Sequence, residues 1–497
     1  MIKMNDVKFL CKKAVSTFVV ILFTLSFLYV NSEATCMIGT SEAAAFQQGS
    51  DPLQVLLITG GGPWHDYHVQ SRQIEEGLKE RLSNFELTID LVPEEGDATD
   101  IKFPRHETDD WAREFDVVIY NHCHLDINDT DYVDRLIAAH IKYKVPAVHL
   151  HCSFHAYRDY SENWYDFLGG RSHRHEGHIP FTVEALDRHH PIMVNFPKSW
   201  RTPHGELYQV HELKPGAKPL ARAYGILTDN YYTVAWTYKY HGVRVFNNTL
   251  GHHDETMGAD VNLNLIGSGL LWAVDKLQDD GSPSPGYEGE RGLGWISLLR
   301  DHEQKNLHGW RASGVTDWSE ARRGNWPSNE NQGTDSFRTE NDKLIIDGQN
   351  SNLFYEGPVT GGYFRNFELK TDIYSYPESN SGIYFHTRFK DEGDPSYGYL
   401  ASINASREDR EKTGSLSSSN PNPVIEAERA PHDDQEWFNY YIQVDGKDVK
   451  LKVNGNLVTE YTETEEAETG INRGTVALQS DNGRVYFRNL MIRLWPD

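Results

Sequence analysis

The sequence VPAVHLHCSFH, residues 145–155, is a short apolar run that ends in histidines and a cysteine. A buried parallel strand has this pattern when it carries polar side chains to the carboxyl edge of an α/β sheet, where such folds place their sites. Residues 115–124, FDVVIYNHCH, repeat the pattern. Two strand ends of this kind predict a single functional site at a common edge of the sheet; the opening of that site is called the mouth below.

The first half of the chain alternates short apolar strands with helical patterns, which is typical of an α/β domain. Strands are predicted at residues 55–59, 85–92, 115–120 and from 145, and helices at 70–82, 131–142 and 257–277. This alternation predicts a parallel sheet with helices on both faces over residues 53–277. The glycines at 60–62 lack the GxGxxG and Walker spacings, so no nucleotide cofactor is predicted.

In the second half of the chain, apolar residues alternate with polar ones, a period of two. Residues 278–292, QDDGSPSPGYEGERG, predict a linker because they are rich in Pro, Gly, Ser and acids. Beyond them, residues 367–376, 381–389 and 437–444 alternate, and Asp445-Gly446 and Asn454-Gly455 predict hairpin turns. Residues 293–497 are therefore predicted to form an all-β antiparallel sandwich or jelly roll.

The net charge excludes one class of partner. The 497 residues carry 48 Lys and Arg against 73 Asp and Glu, a net charge of −25, which repels phosphate backbones. No nucleic-acid partner is predicted, and the acidity fits a protein that handles neutral ligands.

The N-terminus has the features of an export signal. Lysines precede the apolar run 14–30, and small residues follow it, so residues 1–34 predict a signal peptide. A periplasmic or secreted protein without a membrane span after cleavage is expected; an uncleaved anchor is the alternative, since the run is close to membrane-spanning length. In an oxidising compartment Cys123 and Cys152 could pair if their strand ends are adjacent.

Imidazoles dominate the candidate site. They suit zinc and related divalent metals, although no pair has a diagnostic spacing such as HExxH. The predicted metal ligands are His122, His175 and His252. A poised imidazole or carboxylate could also abstract a proton next to a carbonyl, and the predicted catalytic residues are His151, His155 and Glu206. An alternative is Cys152 as a nucleophile, with a neighbouring histidine as its base.

Aromatic and polar side chains provide candidate sugar-binding positions in both halves. The predicted substrate-binding residues are Trp64, His65, Arg158, Tyr208, Tyr384 and Tyr399. No paired carboxylates stand out in the second half, so a glycosidase of the two-carboxylate type is not indicated there.

Six segments of the first half occur in the order VLLITGGGPWHDYH, DVVIYNHC, PAVHLHCSFHAYR, WYDFLGGRSHRH, GELYQV and VRVFNNTLGHHDETM. Together they resemble the ThuA-like (trehalose-utilisation) family. The resemblance implies a flavodoxin-like or amidotransferase-like parallel sheet and a role in the metabolism of oxidised (3-keto) disaccharides. The glycines of the related amidotransferase elbow, G-x-C-x-G, are missing around Cys152, which argues against glutamine hydrolysis.

The second half contains GWISLL, LHGW, FELK, NSGIYF, KTGSL, WFN, VNG and VYFRNL. These segments resemble the 3-keto-disaccharide hydrolase domain family, which implies a concanavalin-like jelly roll. One position departs from the family, because Leu400 stands where an acidic residue is usual. A lost carboxylate would remove a general acid or base, so this half is expected to bind sugar rather than cleave it.

The leading hypothesis is an exported carbohydrate-active protein, a hydrolase or lyase of 3-keto-glycosides. In it, imidazoles supply a base and an enolate stabiliser, with a divalent metal such as zinc. The alternative is a non-catalytic pair of carbohydrate-binding domains, and a third hypothesis is a structural histidine–metal domain.

Overall fold

The computed structural model describes residues 51–157, 159–299, 307, 309–313, 336–341, 343–348, 350–408, 411–418, 423–463 and 472–496. The predicted signal peptide and Arg158 lie outside these ranges. Within the ranges, the helices are too short or too polar to cross a bilayer.

The first half is built on one large sheet. Its strands, in chain order, are β1 (Leu53–Gly60), β2 (Phe85–Leu91), β3 (Val117–His122), β4 (Ala147–Leu150), β5 (Gly170–His175), β6 (Thr182–Ala185), β7 (Ser199–Arg201), β8 (Tyr208–Leu213), β9 (Lys218–Gly225), β10 (Asn230–Tyr240) and β11 (Val243–Asn248). The order in the sheet is β2-β1-β3-β4-β11-β10-β9-β6-β7, and β5 pairs with β8 beside it.

The predicted α/β class is confirmed, and the sheet is mixed rather than wholly parallel. Strands β2, β1, β3, β4 and β11 run parallel, whereas β10, β9, β6 and β7 are antiparallel to their neighbours. The turns at 226–229 and 241–242 are too short for a crossover connection. They make β9–β10 and β10–β11 hairpins, which forces antiparallel pairing.

The helices of the first half are α1 (Tyr67–Arg81), α2 (Thr130–Tyr143), α3 (Glu162–Leu168), α4 (Asp254–Met257) and α5 (Asp260–Ala273). Helices α1 and α2 begin after Asp66 and Asp129, whose carboxylates each accept a helical N–H at 3.0 Å, as N-caps do. The single helix predicted over 257–277 is two helices, α4 and α5. Helix α5 is buried almost all round, against α1, β4 and β11.

The second half is an antiparallel β-sandwich, as predicted. Its strands are β12 (Ile296–Ser297), β13 (Trp310–Ala312), β14 (Phe337–Glu340), β15 (Lys343–Asp347), β16 (Ser351–Tyr355), β17 (Phe367–Ser375), β18 (Asn380–Thr387), β19 (Tyr399–Ile403), β20 (Leu416–Ser418), β21 (Pro423–Ile425), β22 (Trp437–Asp445), β23 (Asp448–Val453), β24 (Asn456–Thr462), β25 (Thr475–Asn482) and β26 (Arg484–Leu494). One sheet has the order β14-β15-β26-β17-β22-β23-β24, with β12 beside β26, and the other has the order β13-β16-β25-β18-β19-β20-β21. Alternate residues such as Phe367, Leu369 and Ile373 of β17 are fully buried between the sheets, which is the period of two that the sequence shows.

Residues 278–292, the predicted linker, pack against the first half. The N–H of Gly289 donates to the carbonyl oxygen of Arg81 at 3.0 Å. The Arg291 guanidinium forms ion pairs with Asp260 and with Glu80. Arg81, whose side chain is fully buried, pairs with the same Asp260 at 2.6 Å. This segment therefore contributes polar contacts to the ends of α1 and α5.

Candidate active site

Three loops that follow parallel strands meet at one edge of the sheet. His65 follows β1, His151 follows β4 and His252 follows β11. The ring of His65 lies 5.0 Å from that of His151 and 4.6 Å from that of His252. Because the carboxyl ends of parallel strands share an edge, the fold brings together histidines that are up to 187 residues apart in the chain.

A buried carboxylate lies among these imidazoles. Glu206 Oε2 lies 3.2 Å from His151 Nε2 and 3.0 Å from His252 Nδ1. Its Oε1 lies 3.1 Å from His175 Nδ1 and 3.5 Å from His178 Nε2. Only 7% of Glu206 is exposed. We call these five residues the Glu206 cluster; each carboxylate oxygen contacts two imidazoles.

The loop that carries Glu206 depends on the glycine before it. A Cβ at Gly205 would lie 2.3 Å from the carbonyl oxygen of Ile179 and 2.6 Å from the ring of Phe181, so a side chain there would displace the backbone. On the other side of Glu206, the carbonyl oxygen of Leu207 accepts the N–H of Glu176 at 2.8 Å. These contacts hold the carboxylate beside the end of β5, where His175 lies.

His151 is oriented by the backbone on one side and by the cluster on the other. Its Nδ1 lies 2.9 Å from the carbonyl oxygen of Thr249, so Nδ1 carries the proton and donates it to that oxygen. The bare Nε2 lies 3.2 Å from His252 Nδ1 and 3.3 Å from the Tyr208 hydroxyl. The φ of His151 is +31°, a left-handed conformation that costs about 1–2 kcal/mol for a residue with a Cβ. Such strain collects at functional sites.

Burial and neighbouring groups set the charge of the cluster. Burial raises the pKa of Glu206, and neighbouring imidazole N–H groups oppose this effect. With the His151 proton on Nδ1, the donor to Oε2 is His252 Nδ1, and the pKa of Glu206 lies below its usual range. Burial, with the neighbouring His151 and His252, lowers the pKa of His65 well below 6.5. Burial also lowers the pKa of His151, against the opposing effect of Glu206. At neutral pH the carboxylate is therefore ionised and these two imidazoles are neutral, the form in which histidine binds metals.

Aromatic rings and a further histidine form the rim. The ring of His155 stacks on Tyr208 with 4.1 Å between centroids and 14° between planes, and Trp64 is 48% exposed. The ring of His253 lies 5.0 Å from that of His178 and 4.6 Å from that of His252. Burial, together with the neighbouring His252, His178 and His204, lowers the pKa of His253 to about 4.

Most of the residues predicted for the first half meet at this mouth. The residues in or beside the Glu206 cluster are Trp64, His65, His151, His155, His175, Glu206, Tyr208 and His252. His178, which the prediction missed, stands in the run RSHRHEGH at residues 171–178 and was detectable as the third histidine of that run.

The predicted ligand set of His122, His175 and His252 needs correction. His122 is fully buried, with its Nδ1 3.3 Å from His124 Nδ1. Its ring contacts Phe103 and Trp164 in the core rather than the cluster. The side chain of His122 alternates to the other face of β3, which the apolar pattern of the strand does not reveal.

Cys123 and Cys152 form a disulfide next to the mouth, with 5.0 Å between their Cα atoms. Both residues are buried, and they lie at the ends of the adjacent parallel strands β3 and β4. The pairing that adjacent strand ends would allow is therefore present, and the bonded sulfur of Cys152 agrees with the missing elbow glycines in arguing against a nucleophile.

The sandwich separates its two predicted sugar-binding tyrosines. Tyr384 lies opposite Leu400 in the β18–β19 pair, and its hydroxyl accepts a hydrogen bond from Gln479 Nε2 at 3.4 Å. Tyr384 is 4% exposed and Tyr399 3%, and Tyr399 stacks on Phe385 in the core, so the assignment of both side chains to a binding surface is corrected. Leu400 itself is half-buried beside Tyr384, on the face away from that core.

Comparison with known families assigns both halves. Residues 55–273 match the family model described as trehalose utilisation, ThuA. Residues 294–493 match the model described as a 3-keto-alpha-glucoside-1,2-lyase-like domain. The protein is therefore built from two carbohydrate-related domains. Each match covers less than half of the chain, and both confirm the sequence resemblances; the two matched regions are called below the ThuA domain and the lyase-like domain.

Solved structures similar to the chain each cover less than half of it. A protein described as ThuA-like from Parabacteroides merdae has 17% identity, covers 48% of this chain and 98% of its own, and has a TM-score of 0.37. A protein described as a candidate glycosyl hydrolase from Parabacteroides distasonis has 16% identity and a TM-score of 0.31. The match covers 41% of this chain and 94% of that protein. The carbohydrate-binding module CBM66 from Bacillus subtilis has 13% identity and a TM-score of 0.27. The match covers 37% of this chain and 95% of that module. No curated protein matches the chain.

Proposed function

We propose that the protein is an enzyme that cleaves 3-keto-glycosides by base-assisted elimination at the mouth of its ThuA domain. The observation that carries the proposal is the Glu206 cluster, in which a buried carboxylate contacts four imidazoles. The fusion to a 3-keto-alpha-glucoside-1,2-lyase-like domain supports the choice of substrate.

The chemistry of a 3-keto sugar suits a base of moderate strength. The ketone acidifies the hydrogen on C2, so a base can remove that proton and leave an enolate. The electron pair then forms the C1–C2 double bond while the bond from C1 to the glycosidic oxygen breaks, and the departing alkoxide takes up a proton. The ketone is restored, and no oxocarbenium ion forms.

His175 is the base that the geometry favours. Its Nδ1 lies 3.1 Å from Glu206 Oε1 and 2.8 Å from the carbonyl oxygen of Glu176. With two oxygen acceptors beside it, Nδ1 carries the proton, which leaves the lone pair on Nε2. The His175 side chain is 40% exposed and can reach a ligand. The carboxylate of Glu206 stabilises the imidazolium that forms after proton abstraction.

The cluster also fits a divalent cation. Glu206 Oε2, His151 Nε2 and His252 Nδ1 form a triangle with sides of 3.0, 3.2 and 3.2 Å. Tetrahedral zinc with bonds of about 2.0–2.1 Å places its ligands roughly 3.3 Å apart. His65 is within reach as a fourth ligand, since its Nδ1 faces the carbonyl oxygen of His252 at 3.1 Å and its Nε2 is left for a metal. Such a cation, when bound, would stabilise the negative charge of an enolate.

A direct assay tests the enzymatic proposal. The full-length protein is incubated with 3-keto-trehalose or a related 3-keto-glycoside, and the released sugar is measured. Release is expected from the wild-type protein and from His211→Ala, which alters an exposed histidine on β8 away from the cluster. It is expected to be lost in Glu206→Ala. No release by the wild-type protein contradicts the proposal.

The second candidate function is sugar binding without cleavage in the sandwich. It is favoured by Leu400, which lies opposite Tyr384 and stands where the family resemblance implies an acidic residue. Calorimetric titration of a Glu206→Ala variant with plain and oxidised disaccharides separates the candidates. Binding of a disaccharide that survives this variant supports a binding role for the sandwich, and loss of binding in it assigns binding to the Glu206 cluster.

We also propose that the protein is exported to the periplasm or beyond. The Cys123–Cys152 disulfide supports this location, since disulfides persist in oxidising compartments. Fractionation of cells that produce the full chain tests it, and protein found only in the cytoplasm contradicts it.

A further inference from the structure

A second group of nitrogens lies beside the proposed cation site. Ring nitrogens of His178, His252 and His253 lie within 4.8 Å of one another. In the part of the chain that the structure describes, His253 Nε2 is buried and has no hydrogen-bond partner. A buried imidazole nitrogen without a partner loses its hydration on folding and gains nothing in return. A bound cation would compensate for that loss.

Glu206 presents its two oxygens to different neighbours. Oε2 contacts His151 and His252, whereas Oε1 lies 3.1 Å from His175 Nδ1 and 3.5 Å from His178 Nε2, which belongs to the second group. A carboxylate with one oxygen toward each of two nitrogen groups can bridge two metal ions. Ions in two-metal sites lie about 3.5–4 Å apart.

We propose that the mouth of the ThuA domain binds two divalent cations bridged by Glu206. The first cation would take Oε2 with His151 and His252, with His65 within reach. The second would take Oε1 with His178, and His253 lies within reach because its ring nitrogen is grouped with those of His178 and His252. Imidazole and carboxylate donors suit zinc and related ions at both positions. The proposal extends the single cation of the proposed function.

The second cation has fewer protein ligands than the first and keeps open positions. The side chain of His178 is 51% exposed, so this part of the mouth is accessible to a ligand. A catalytic metal with open positions takes substrate oxygens there. A 3-keto sugar carries a ketone next to a hydroxyl group, and these two oxygens can each face one cation. The pair would thus select vicinal keto-alcohols over sugars without the ketone.

Metal stoichiometry tests the pair without reference to turnover. The full-length protein is stripped with a chelator, loaded with Zn²⁺, dialysed and analysed for bound metal per chain. Two ions are expected for the wild type and for His211→Ala, and one for His253→Ala. His253→Gln, which keeps a polar side chain of similar size, serves if the alanine variant fails to fold, and circular dichroism checks each variant.

Loading with Mn²⁺ adds a measurement that depends on distance. Two bridged ions are expected to show exchange coupling in the electron paramagnetic resonance spectrum, and His253→Ala is expected to show an uncoupled ion. One ion in the wild type, or two ions that His253→Ala leaves unchanged, overturns the pair. Two coupled ions in a protein that releases no sugar would support the pair and contradict only the proposed function.

Discussion

Glu206 Oε2 and His151 Nε2 lie 3.2 Å apart although the proton of His151 is committed to the carbonyl oxygen of Thr249. A carboxylate oxygen and a bare imidazole nitrogen at this distance repel each other, because both present lone pairs. A cation between them turns this repulsion into two bonds.

Chelation is therefore expected to destabilise the protein. A ligand that binds only the folded state at 100 times its Kd contributes about 2.7 kcal/mol, so removal of bound metal should lower Tm by several degrees. Differential scanning calorimetry before and after EDTA, and after addition of Zn²⁺, measures this. The His151→Ala variant should not respond to Zn²⁺ at the first site. A wild-type Tm that is indifferent to both treatments contradicts the cation assignment.

Replacement of His175 is expected to reduce turnover more than binding. A positioned general base contributes about 10²–10⁴-fold to rate, so His175→Ala should lower kcat of the 3-keto-glycoside reaction by that order with KM little changed. Steady-state kinetics with His211→Ala as the control measures it. A change confined to KM would assign His175 to substrate binding instead, and an equal loss of kcat in both variants would contradict its role as the base.

Loss of the disulfide is expected to destabilise the first domain. Cys123 and Cys152 close a loop with a sequence separation of 29, for which loop-closure entropy gives about 3–4 kcal/mol. Urea unfolding of the Cys123→Ala/Cys152→Ala protein should show this decrease relative to the wild type. Addition of a reductant should destabilise the wild type and leave the double variant unchanged; a reductant effect of equal size in both would point to another cause.

The buried histidines are expected to make the protein sensitive to mild acid. Burial lowers the pKa of His124 and of His140 to about 4 against an unfolded value of 6.5. Between these values the unfolded chain binds more protons, so stability falls as pH falls, by roughly 3 kcal/mol per group over the whole interval.

Urea unfolding at pH 7.5, 6.5 and 5.5 measures this acid sensitivity. His140→Gln should lose stability less steeply with pH than the wild type, because it removes one titrating ring. Its amide can also keep a hydrogen bond to the hydroxyl of Tyr120, which lies 2.7 Å from His140 Nε2. Stability that is constant across this range would show that these rings titrate normally.

The sequence predicts the parts of the fold that local pattern determines. Apolar runs before the histidines at 122 and 151 locate β3 and β4, and alternation locates β17, β18 and β22. The antiparallel part of the large sheet was missed because short turns between β9, β10 and β11 were not recognised as hairpins. Their apolar content alone does not distinguish the two directions of pairing.

The sequence predicts where the site lies better than it predicts which residues would bind a metal there. Histidines that follow parallel strands were expected to meet, and His65, His151 and His252 do so. His122 is the last residue of β3 rather than a residue of the following loop, and its side chain turns into the core. Which face a strand residue occupies depends on register, and a shift of one residue reverses it. The sequence predicts Glu206 as a catalytic residue, but it does not show that four imidazoles contact its carboxylate.

The packing of residues 278–292 determines where the chain can be cut. A fragment that stops at residue 277 would lose the hydrogen bond from Gly289 to the Arg81 carbonyl oxygen and the ion pair between Arg291 and Asp260. It would also lose the hydrogen bond that the N–H of Ser297 donates to Asp260 at 2.8 Å. Water would then reach the Asp260 carboxylate that pairs with the buried Arg81. For expression of the ThuA domain alone, the boundary belongs after this segment, and a sandwich fragment should begin without it.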